Sequence, residues 1–253
     1  MMGGAADRRM GGAGSDPTGV DPDLNVSGEV LPVEFYERDV VTVARELIGC
    51  VLRRETDGTV VAGRIVETEA YRHDEPASHA FTGKSARNAA MFGPAGHAYV
   101  YLIYGMYECF NVVCGPAGVG NAVLIRAVEP VEGIARMFEN RFGSGGGPTD
   151  GATDVVQARS RTAGNIAGSA RGHRPEELTS GPGKLCRAFG ITREVDGMSL
   201  VDGPVTIHAG RAIAGGAPTR EIVATRRIGI SKATELEWRF VEAGNEYVSR
   251  RVR

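Results

Sequence analysis

The sequence has few features of a membrane protein or of a disulfide-stabilised one. It contains no run of about 18 apolar residues, which a membrane-spanning helix would need. The opening MMGGAADRRM is not followed by the apolar stretch of a signal peptide. The four cysteines form no CxxC pair and lie in or beside apolar runs, at Cys50, Cys109, Cys114 and Cys186. We therefore expect a cytoplasmic protein with buried, free thiols.

Motifs for metals and nucleotides are also missing. HDEPASH (73–79) lacks the spacing of HExxH, and GPGK (181–184) lacks the GxxxxGK[ST] pattern. No internal repeat is evident. We expect neither a metal site nor a nucleotide P-loop. His79 is better suited to stacking or hydrogen bonding, and Lys184 to holding a phosphate at a helix N-terminus.

The net charge of −2 is small and unevenly distributed. Residues 1–150 carry 13 basic and 20 acidic side chains, and residues 151–253 carry 16 and 11. The basic half could bind a polyanion through a small contact area, because the electrostatic potential at the contact, not the net charge of the protein, determines phosphate binding. A difference of this size is also common in proteins that bind no nucleic acid. Charge alone therefore leaves nucleic-acid binding open.

The pattern along the chain predicts one domain at 31–253 with two additions. Residues 1–30 have almost no large apolar residues and predict a disordered tail. Residues 143–176 are rich in glycine and arginine and predict a mobile insertion. Asp39 is placed as the N-cap of a helix at 40–48. Two β-branched runs around Thr56-Asp57-Gly58 predict a hairpin at 50–70.

The next part of the chain alternates loop and strand. The polar, proline-containing stretch 72–97 predicts loop and short helix, and 98–114 a hairpin that turns at Tyr104-Gly105. The continuous apolar character of 121–130 indicates a central strand, in which Arg126 is anomalous. LTSGPGKLCRAFGI (178–191) predicts a capped helix start, and short strands are expected after 197.

One stretch combines two acids with an aromatic. In RIVETEAY (64–71), Glu67, Glu69 and Tyr71 share a strand face because side chains two apart point the same way. A carboxylate can activate water or stabilise an oxocarbenium-like transition state at a glycosidic carbon. The competing interpretation is a solvated strand end, since exposed acids are the rule.

Tyrosines cluster near these acids in the sequence. Five of the chain's seven tyrosines fall between Tyr71 and Tyr107, and Tyr99 and Tyr101 share a strand face. The cluster suits either cross-strand packing or a stacking site for a flat ring, as in proteins that extrude a base. Tyr104, at a hairpin tip, is poorly placed for a core and well placed for insertion into another molecule.

Five ordered blocks give these residues a family context. RIVETEAY, SARNAAMF, YVYLIYGMYECFNVV, VLIRAVEP and SGPGKLCRAFGI, in this order, resemble the alkyladenine (3-methyladenine) DNA glycosylase family, as a bacterial-type member. The resemblance runs from about Leu31 to Val252, interrupted by the Gly-rich insertion. It implies excision of alkylated or deaminated purines from DNA by hydrolysis of the N-glycosidic bond, without metal or cofactor. The Arg-rich stretch 157–174 matches nothing in the family, so it either adds non-specific DNA affinity or is disordered.

The resemblance also implies a role for individual residues. Glu69 matches the general base that deprotonates the attacking water, and Arg126 the arginine that holds that water and the glutamate; Glu67 matches no catalytic role. The remaining matches are three aromatic walls around the flipped base, a side chain that disfavours the guanine 2-amino group and a wedge in the minor groove: Tyr71, His79 and Tyr101; Asn111; Tyr104. Lys184, at the expected helix N-terminus, and Arg87 are expected to contact the DNA backbone.

The expected fold follows from the same resemblance. It is a single α+β domain with a curved, barrel-like antiparallel sheet, similar to the C-terminal domain of formyltransferases, surrounded by helices. The base pocket is expected between 64–71 and 98–112, with DNA held by its minor-groove side. The implied partner is double-stranded DNA with damaged purines. The protein is expected to bind it as a monomer at the nucleoid, and no association with a membrane is expected. No activated lysine nucleophile is evident, which favours hydrolysis without strand cleavage.

Two other functions remain open from the residues. A nucleoside or small-glycoside hydrolase would use Glu67 and Glu69 as an acid/base pair. Side by side on one strand, about 6–7 Å apart at Cα, they would flank no bond from opposite sides. A DNA- or RNA-binding module would use the tyrosines for stacking and perform no chemistry. Activity on free nucleosides would indicate the first, and binding of undamaged strands without base release the second.

Overall fold

The computed structural model describes residues 28–143, 174–210 and 221–252. Most of the predicted tail and insertion lies outside these ranges. Residues 28–30 are described, and Val30 forms a bridge with His208. No described helix has the length and apolar character to cross a bilayer.

The described residues form one antiparallel sheet with a few short helices. The helices are α1 (Val33–Tyr36), α2 (Val40–Glu46), α3 (Ile134–Phe142) and α4 (Pro182–Phe189). The strands are β1 (Val51–Thr56), β2 (Thr59–Tyr71), β3 (Ala98–Ile103), β4 (Tyr107–Cys114), β5 (Asn121–Glu132), β6 (Val205–His208), β7 (Ile222–Thr225) and β8 (Arg239–Glu242). Single 3-10 turns cover Ala89–Phe92, Pro175–Glu177 and Arg193–Val195. The α+β class is confirmed, and the sheet curls into a half-barrel.

The long strand β2 organises the sheet. The strand order is β3-β4-β5-β2-β1-β6, and β8 pairs with β2 and β7. One edge of β2 pairs with β5; the other pairs with β1 over 59–64 and with β8 over 67–69. Its register with β5 shifts on both sides of Glu67, and such bulges bend and twist a strand. The two acids therefore lie where β2 changes partners.

The local signals for the helix that Asp39 caps, α2, and for the hairpin of β1 and β2 are confirmed. Asp39 Oδ1 accepts hydrogen bonds from the backbone N–H groups of Val41 and Thr42, which caps α2. The turn between β1 and β2 has positive φ at Asp57 and Gly58, as a two-residue hairpin loop of type I′ requires. All four cysteines are free and buried, as predicted.

One predicted helix start is wrong in detail. Helix α4 begins at Pro182 with Gly181 as N-cap, and no side chain caps it. Gly181 has no side chain to accept a hydrogen bond, while Pro182 has no N–H that needs one. Lys184 lies in the first turn, as predicted.

The core lies mainly on one face of the sheet. Helix α2 packs there against Ile65 and Ala70 of β2, and Thr68 donates to the Ala44 carbonyl. The bulge between Ile65 and Glu67 interrupts the alternation. Beyond it, Glu67, Glu69 and Tyr71 alternate with Thr68 and Ala70 and therefore lie on the opposite face. That face carries the candidate site.

Candidate active site

The two acids of β2 are fully buried. Glu67 and Glu69 each have 0% relative exposure, so the interpretation as a solvated strand end is wrong. Glu69 Oε2 accepts from the Tyr71 hydroxyl at 2.8 Å and from Arg126 Nη1 at 3.1 Å. Glu69 Oε1 accepts from the Ile228 backbone N–H at 2.7 Å. A buried carboxylate needs such partners.

Arg126 joins the two acids. Its Nε donates to Glu67 Oε1 at 3.0 Å, and its Nη1 reaches Glu69 as described. Burial would lower the pKa of Arg126, but the carboxylates of Glu69 and Glu67 outweigh burial and raise its pKa. An arginine in the central strand β5 is therefore explained by the acids on its neighbour, as an unpaired buried charge would be costly.

Besides Arg126, Glu67 has hydrogen-bond partners in Arg239 and Ser249. Its Oε1 also accepts from Arg239 Nε at 2.7 Å and Ser249 Oγ at 2.8 Å, and its Oε2 from the Ser249 N–H at 2.6 Å. With these contacts Glu67 is not placed to act on a substrate. The acid/base pair of a small-glycoside hydrolase therefore finds no support in this geometry.

Three aromatic side chains, His79 of the loop before β3 and Tyr99 and Tyr101 of β3, contact one another. His79 Nδ1 and the Tyr99 hydroxyl are 2.9 Å apart. The rings of His79 and Tyr101 pack edge to face, with 4.5 Å between their centroids. The rings of Tyr99 and Tyr101 are 5.5 Å apart. Burial lowers the pKa of His79, with a smaller contribution from Arg87. The imidazole is therefore neutral at physiological pH.

Tyr71 is held from two sides. Its hydroxyl donates to Glu69, and the Arg227 guanidinium lies 4.7 Å from its ring centroid. Arg227 is itself paired with Glu75 through both terminal nitrogens and donates to the Ala70 carbonyl. Burial, followed by the charge of Glu69, raises the pKa of the Tyr71 hydroxyl. The hydroxyl thus stays protonated as a donor to the carboxylate.

A cleft of about 900 Å³ unites these groups. Tyr71, His79, Tyr101 and Asn111 line it, with Arg126. Glu69 lies behind this lining, since three of the lining residues, Tyr71, Arg126 and Ile228, supply its hydrogen bonds. The structure therefore brings the predicted catalytic residues and the predicted walls to one place.

Asn111 has a fixed orientation in this cleft. Its Nδ2 donates to the carbonyls of Tyr99 at 2.9 Å and Cys109 at 3.1 Å. Both amide hydrogens are thereby used. The side chain presents a rigid surface to anything that enters.

The β3–β4 hairpin forms one lip of the cleft. Tyr104 is 84% exposed at its tip and has a φ of 53° beside Gly105 at 70°. A positive φ is uncommon for an aromatic residue and is worth a functional explanation. Met106 and Tyr107 are exposed on the same hairpin. The predicted turn at Tyr104-Gly105 is confirmed.

The two predicted backbone contacts lie in different places. Lys184 lines the cleft, is exposed, and donates to Ser180 Oγ at 3.4 Å. Lys232 also lines the cleft and is exposed. Arg87 is not among the lining residues; its Nη2 donates to the Leu102 carbonyl at 3.0 Å, near the start of the hairpin tip.

Several site residues gave little signal in the sequence. Tyr99 could be inferred because it shares a strand face with Tyr101. Ile228 contributes a backbone N–H, which no side-chain pattern reveals. Arg227, Arg239 and Ser249 lie more than 150 residues along the chain from the acids they contact or support. No local pattern connects groups so far apart.

Comparison with known proteins provides the family. The model of the methylpurine-DNA glycosylase (MPG) family matches residues 34–246. A protein of Methanoculleus marisnigri named "Putative 3-methyladenine DNA glycosylase" is 46% identical over 87% of this chain and 99% of its own length. Proteins of the same name from Carboxydothermus hydrogenoformans and Rhizobium etli are each 42% identical, over 88% and 89% of this chain and 100% and 91% of their own. The chain belongs to the methylpurine-DNA glycosylase family.

Proposed function

We propose that the protein is a 3-methyladenine DNA glycosylase in which Glu69 activates the water that hydrolyses the N-glycosidic bond of a damaged purine. Family membership supports the reaction class. The observation that carries the site is the Glu69 carboxylate, buried and hydrogen-bonded by three groups that line one aromatic cleft. In this proposal a base flipped out of the duplex occupies that cleft.

The chemistry needs a base and a counter-charge. Water attacks C1′ of the deoxyribose, its proton passes to Glu69, and the electrons of the C1′–N bond leave with the purine. An N3-alkylated adenine is cationic and departs neutral without protonation. The Glu69 carboxylate also offsets the oxocarbenium charge, and Arg126 holds carboxylate and water in place. Glu69 Oε1, which accepts only from Ile228 among the described residues, retains a lone pair for that water.

The cleft walls suit a cationic flat ring. Tyr71, His79 and Tyr101 are proposed to enclose the base, whose charge is attracted to aromatic faces. A neutral His79 avoids repelling this cation. Asn111, held rigid by two carbonyls, is proposed to exclude the guanine 2-amino group by its fixed position.

The hairpin and the cations are proposed to hold duplex DNA. Tyr104 enters from the minor groove and fills the space left by the flipped base, a use that fits its exposure at the hairpin tip. Lys184 and Arg87 contact the phosphates on either side. We propose a monomer that acts on damaged duplexes at the nucleoid. The two lysines of the cleft, Lys184 and Lys232, are exposed rather than buried, so we do not propose that either acts as an activated amine nucleophile. The proposed product is an abasic site in an unbroken DNA strand.

Substitution of the proposed base tests this function. Glu69→Gln preserves the size of the side chain and one acceptor oxygen but cannot accept the water proton, so we expect lesion DNA to bind and base release to fall by at least about a hundredfold. Duplexes with a single 3-methyladenine, ethenoadenine, hypoxanthine or 7-methylguanine are incubated with excess protein, and abasic sites are assayed. Glu242→Gln is the control, because Glu242 is a buried glutamate paired with Arg64 outside the cleft. Base release by Glu69→Gln at the wild-type rate would exclude Glu69 as the base.

A further inference from the structure

We propose that Glu67 is a positioning residue that holds Arg126 against Glu69, and that Arg239 and Ser249 complete its setting. The inference rests on the proposed function, since it concerns the group that orients the proposed base. Glu67 has no surface exposure and does not line the cleft. Glu69 is hydrogen-bonded by three lining residues, whereas Arg126 is the only lining residue that the described structure places on Glu67. The effect of Glu67 on the reaction therefore passes through Arg126.

The bonding of Arg126 shows how this works. Nε donates to Glu67 and Nη1 to Glu69, so two separate carboxylates fix the plane of the guanidinium. Nη2 lies 3.4 Å from Ser249 Oγ. A guanidinium has five N–H donors, and these contacts use three. The two that remain are then held in a fixed direction at a residue that lines the cleft.

The charges in this cluster balance. Glu67 and Glu69 are matched by Arg126 and Arg239, all buried. Arg239 donates to Glu67 at 2.7 Å and to the Arg250 carbonyl at 2.6 Å. Arg239 thus compensates Glu67, and the charge of Arg126 stays available to Glu69. Without Glu67, Arg126 could turn to take both oxygens of Glu69, which would occupy the acceptor position left for water.

The chain's last described residues secure this arrangement. Ser249 holds Glu67 with both its backbone N–H and its hydroxyl. The preceding Val248 packs with Val66 and Ala127 in a small apolar cluster. Val66 and Ala127 are neighbours of Glu67 and Arg126 in sequence, so one cluster fixes both strands and the terminal segment. Residues 248–250 therefore belong to the support of the site.

The test separates catalysis from binding. In single-turnover assays on a 3-methyladenine duplex, we expect Glu67→Gln to lower the rate of base release by roughly ten- to a hundredfold, the size of one misplaced charged hydrogen bond. The dissociation constant for a duplex with a stable abasic-site analogue should change less than about threefold, because Glu67 does not touch DNA. Glu242→Gln, a second buried glutamate–arginine pair, is the control for general destabilisation. It should keep the wild-type rate below its melting temperature.

A second variant covers the possibility that Glu67→Gln does not fold. Ser249→Ala removes one hydroxyl donor from Glu67 and leaves its N–H bond, so we expect a rate lowered by about three- to tenfold. If both variants fold, adding Ser249→Ala to Glu67→Gln should cost little more, because the two act through one carboxylate. Fully additive losses, or a parallel loss of DNA affinity, would indicate a general structural role and overturn the inference.

The outcome for Glu69→Gln identifies which conclusion fails. If Glu69→Gln is inactive and Glu67→Gln releases base at the wild-type rate, only the positioning role is wrong. If Glu67→Gln does not fold, a folded Ser249→Ala that reaches the wild-type rate leads to the same conclusion. If Glu69→Gln itself releases base normally, the proposed function of the site is wrong and Glu67 has nothing to position.

Discussion

His79 combines a hydrogen bond with an aromatic contact. It lies 2.9 Å from the Tyr99 hydroxyl and packs edge to face on Tyr101. Burial, assisted by the positive charge of Arg87, lowers the pKa of its imidazole below the ordinary 6.5. Folding therefore favours the neutral ring, and protonation opposes the packing of this loop and, in the proposed complex, the binding of a cationic base.

This shift predicts a pH dependence of stability. The unfolded His79 takes up a proton near its ordinary pKa of 6.5, and the folded one only at lower pH. Between these values the unfolded state binds more protons, so the free energy of unfolding falls as the pH falls. The full stability is present above about pH 6.5 and is lost through the folded pKa. Denaturant unfolding at roughly pH 8 to 5 should show this fall.

A variant isolates the contribution of His79 from those of the other histidines. His79→Gln keeps a polar group for Tyr99 and cannot titrate in this range. The difference in unfolding free energy between wild type and variant should narrow as the pH falls. Parallel curves for the two proteins would show that the pKa of His79 is the same in both states.

The β3–β4 hairpin is the element that separates cleft from duplex in the proposed complex. Its strands carry Tyr99, Tyr101 and Asn111, and its tip carries Tyr104. The paired strands make Asn111 the cross-strand partner of Tyr99. A single hairpin thus carries the proposed wall, specificity residue and wedge, and its strand pairing fixes their spacing.

Truncation of the wedge should weaken DNA binding without affecting the fold. Tyr104 is 84% exposed, so Tyr104→Ala removes almost no internal packing. We expect a loss of about 1–3 kcal/mol in lesion binding, the value of one aromatic stacking contact, together with slower excision. Fluorescence anisotropy with a 3-methyladenine duplex and single-turnover assays measure both. Tyr104→Phe retains the ring and should behave almost like wild type; equal binding by all three proteins would contradict the wedge.

At the scale of the whole molecule, one buried ion pair joins two distant segments. Glu75 belongs to the loop that leads to His79, and Arg227 precedes Ile228, whose N–H holds Glu69. Arg227 also lies against the ring of Tyr71. The pair therefore ties the aromatic walls to the segment that orients the carboxylate.

Breaking this pair should reduce stability and activity together. Glu75→Gln leaves the buried Arg227 charge uncompensated, at a cost of about 3–5 kcal/mol in unfolding free energy. Excision should slow because Tyr71 and Ile228 lose their common support. Urea unfolding and single-turnover assays at a temperature where the variant is folded provide the measurements. Glu46→Gln is the control, because Glu46 forms an exposed ion pair with Arg38. Its free energy of unfolding should fall by no more than about 1 kcal/mol. A similarly small cost for Glu75→Gln would mean that the pair does not tie the segments together.

The sequence by itself determined the parts whose cause is local. The cap at Asp39, the hairpins at Asp57-Gly58 and Tyr104-Gly105 and the central position of β5 follow from residue preferences and periodicity, and the structure confirms them. The ordered motifs were enough to identify the family. The uncapped start of α4 departs from the prediction, because Gly181 has no side chain to act as a cap and Pro182 has no N–H to donate.

The tertiary structure alone decided what surrounds each acid. Glu67 and Glu69 share a strand face and a residue type, so no local pattern distinguishes them. Arg126 of β5 bonds both acids, and their difference comes from the other partners. Tyr71 and Ile228, which follows β7, bond Glu69, whereas Arg239 of β8 and Ser249 of the terminal segment bond Glu67. Electrostatic partners are chosen by proximity in space, which here spans more than 150 residues of chain. The fold therefore makes one glutamate a candidate base and the other its support.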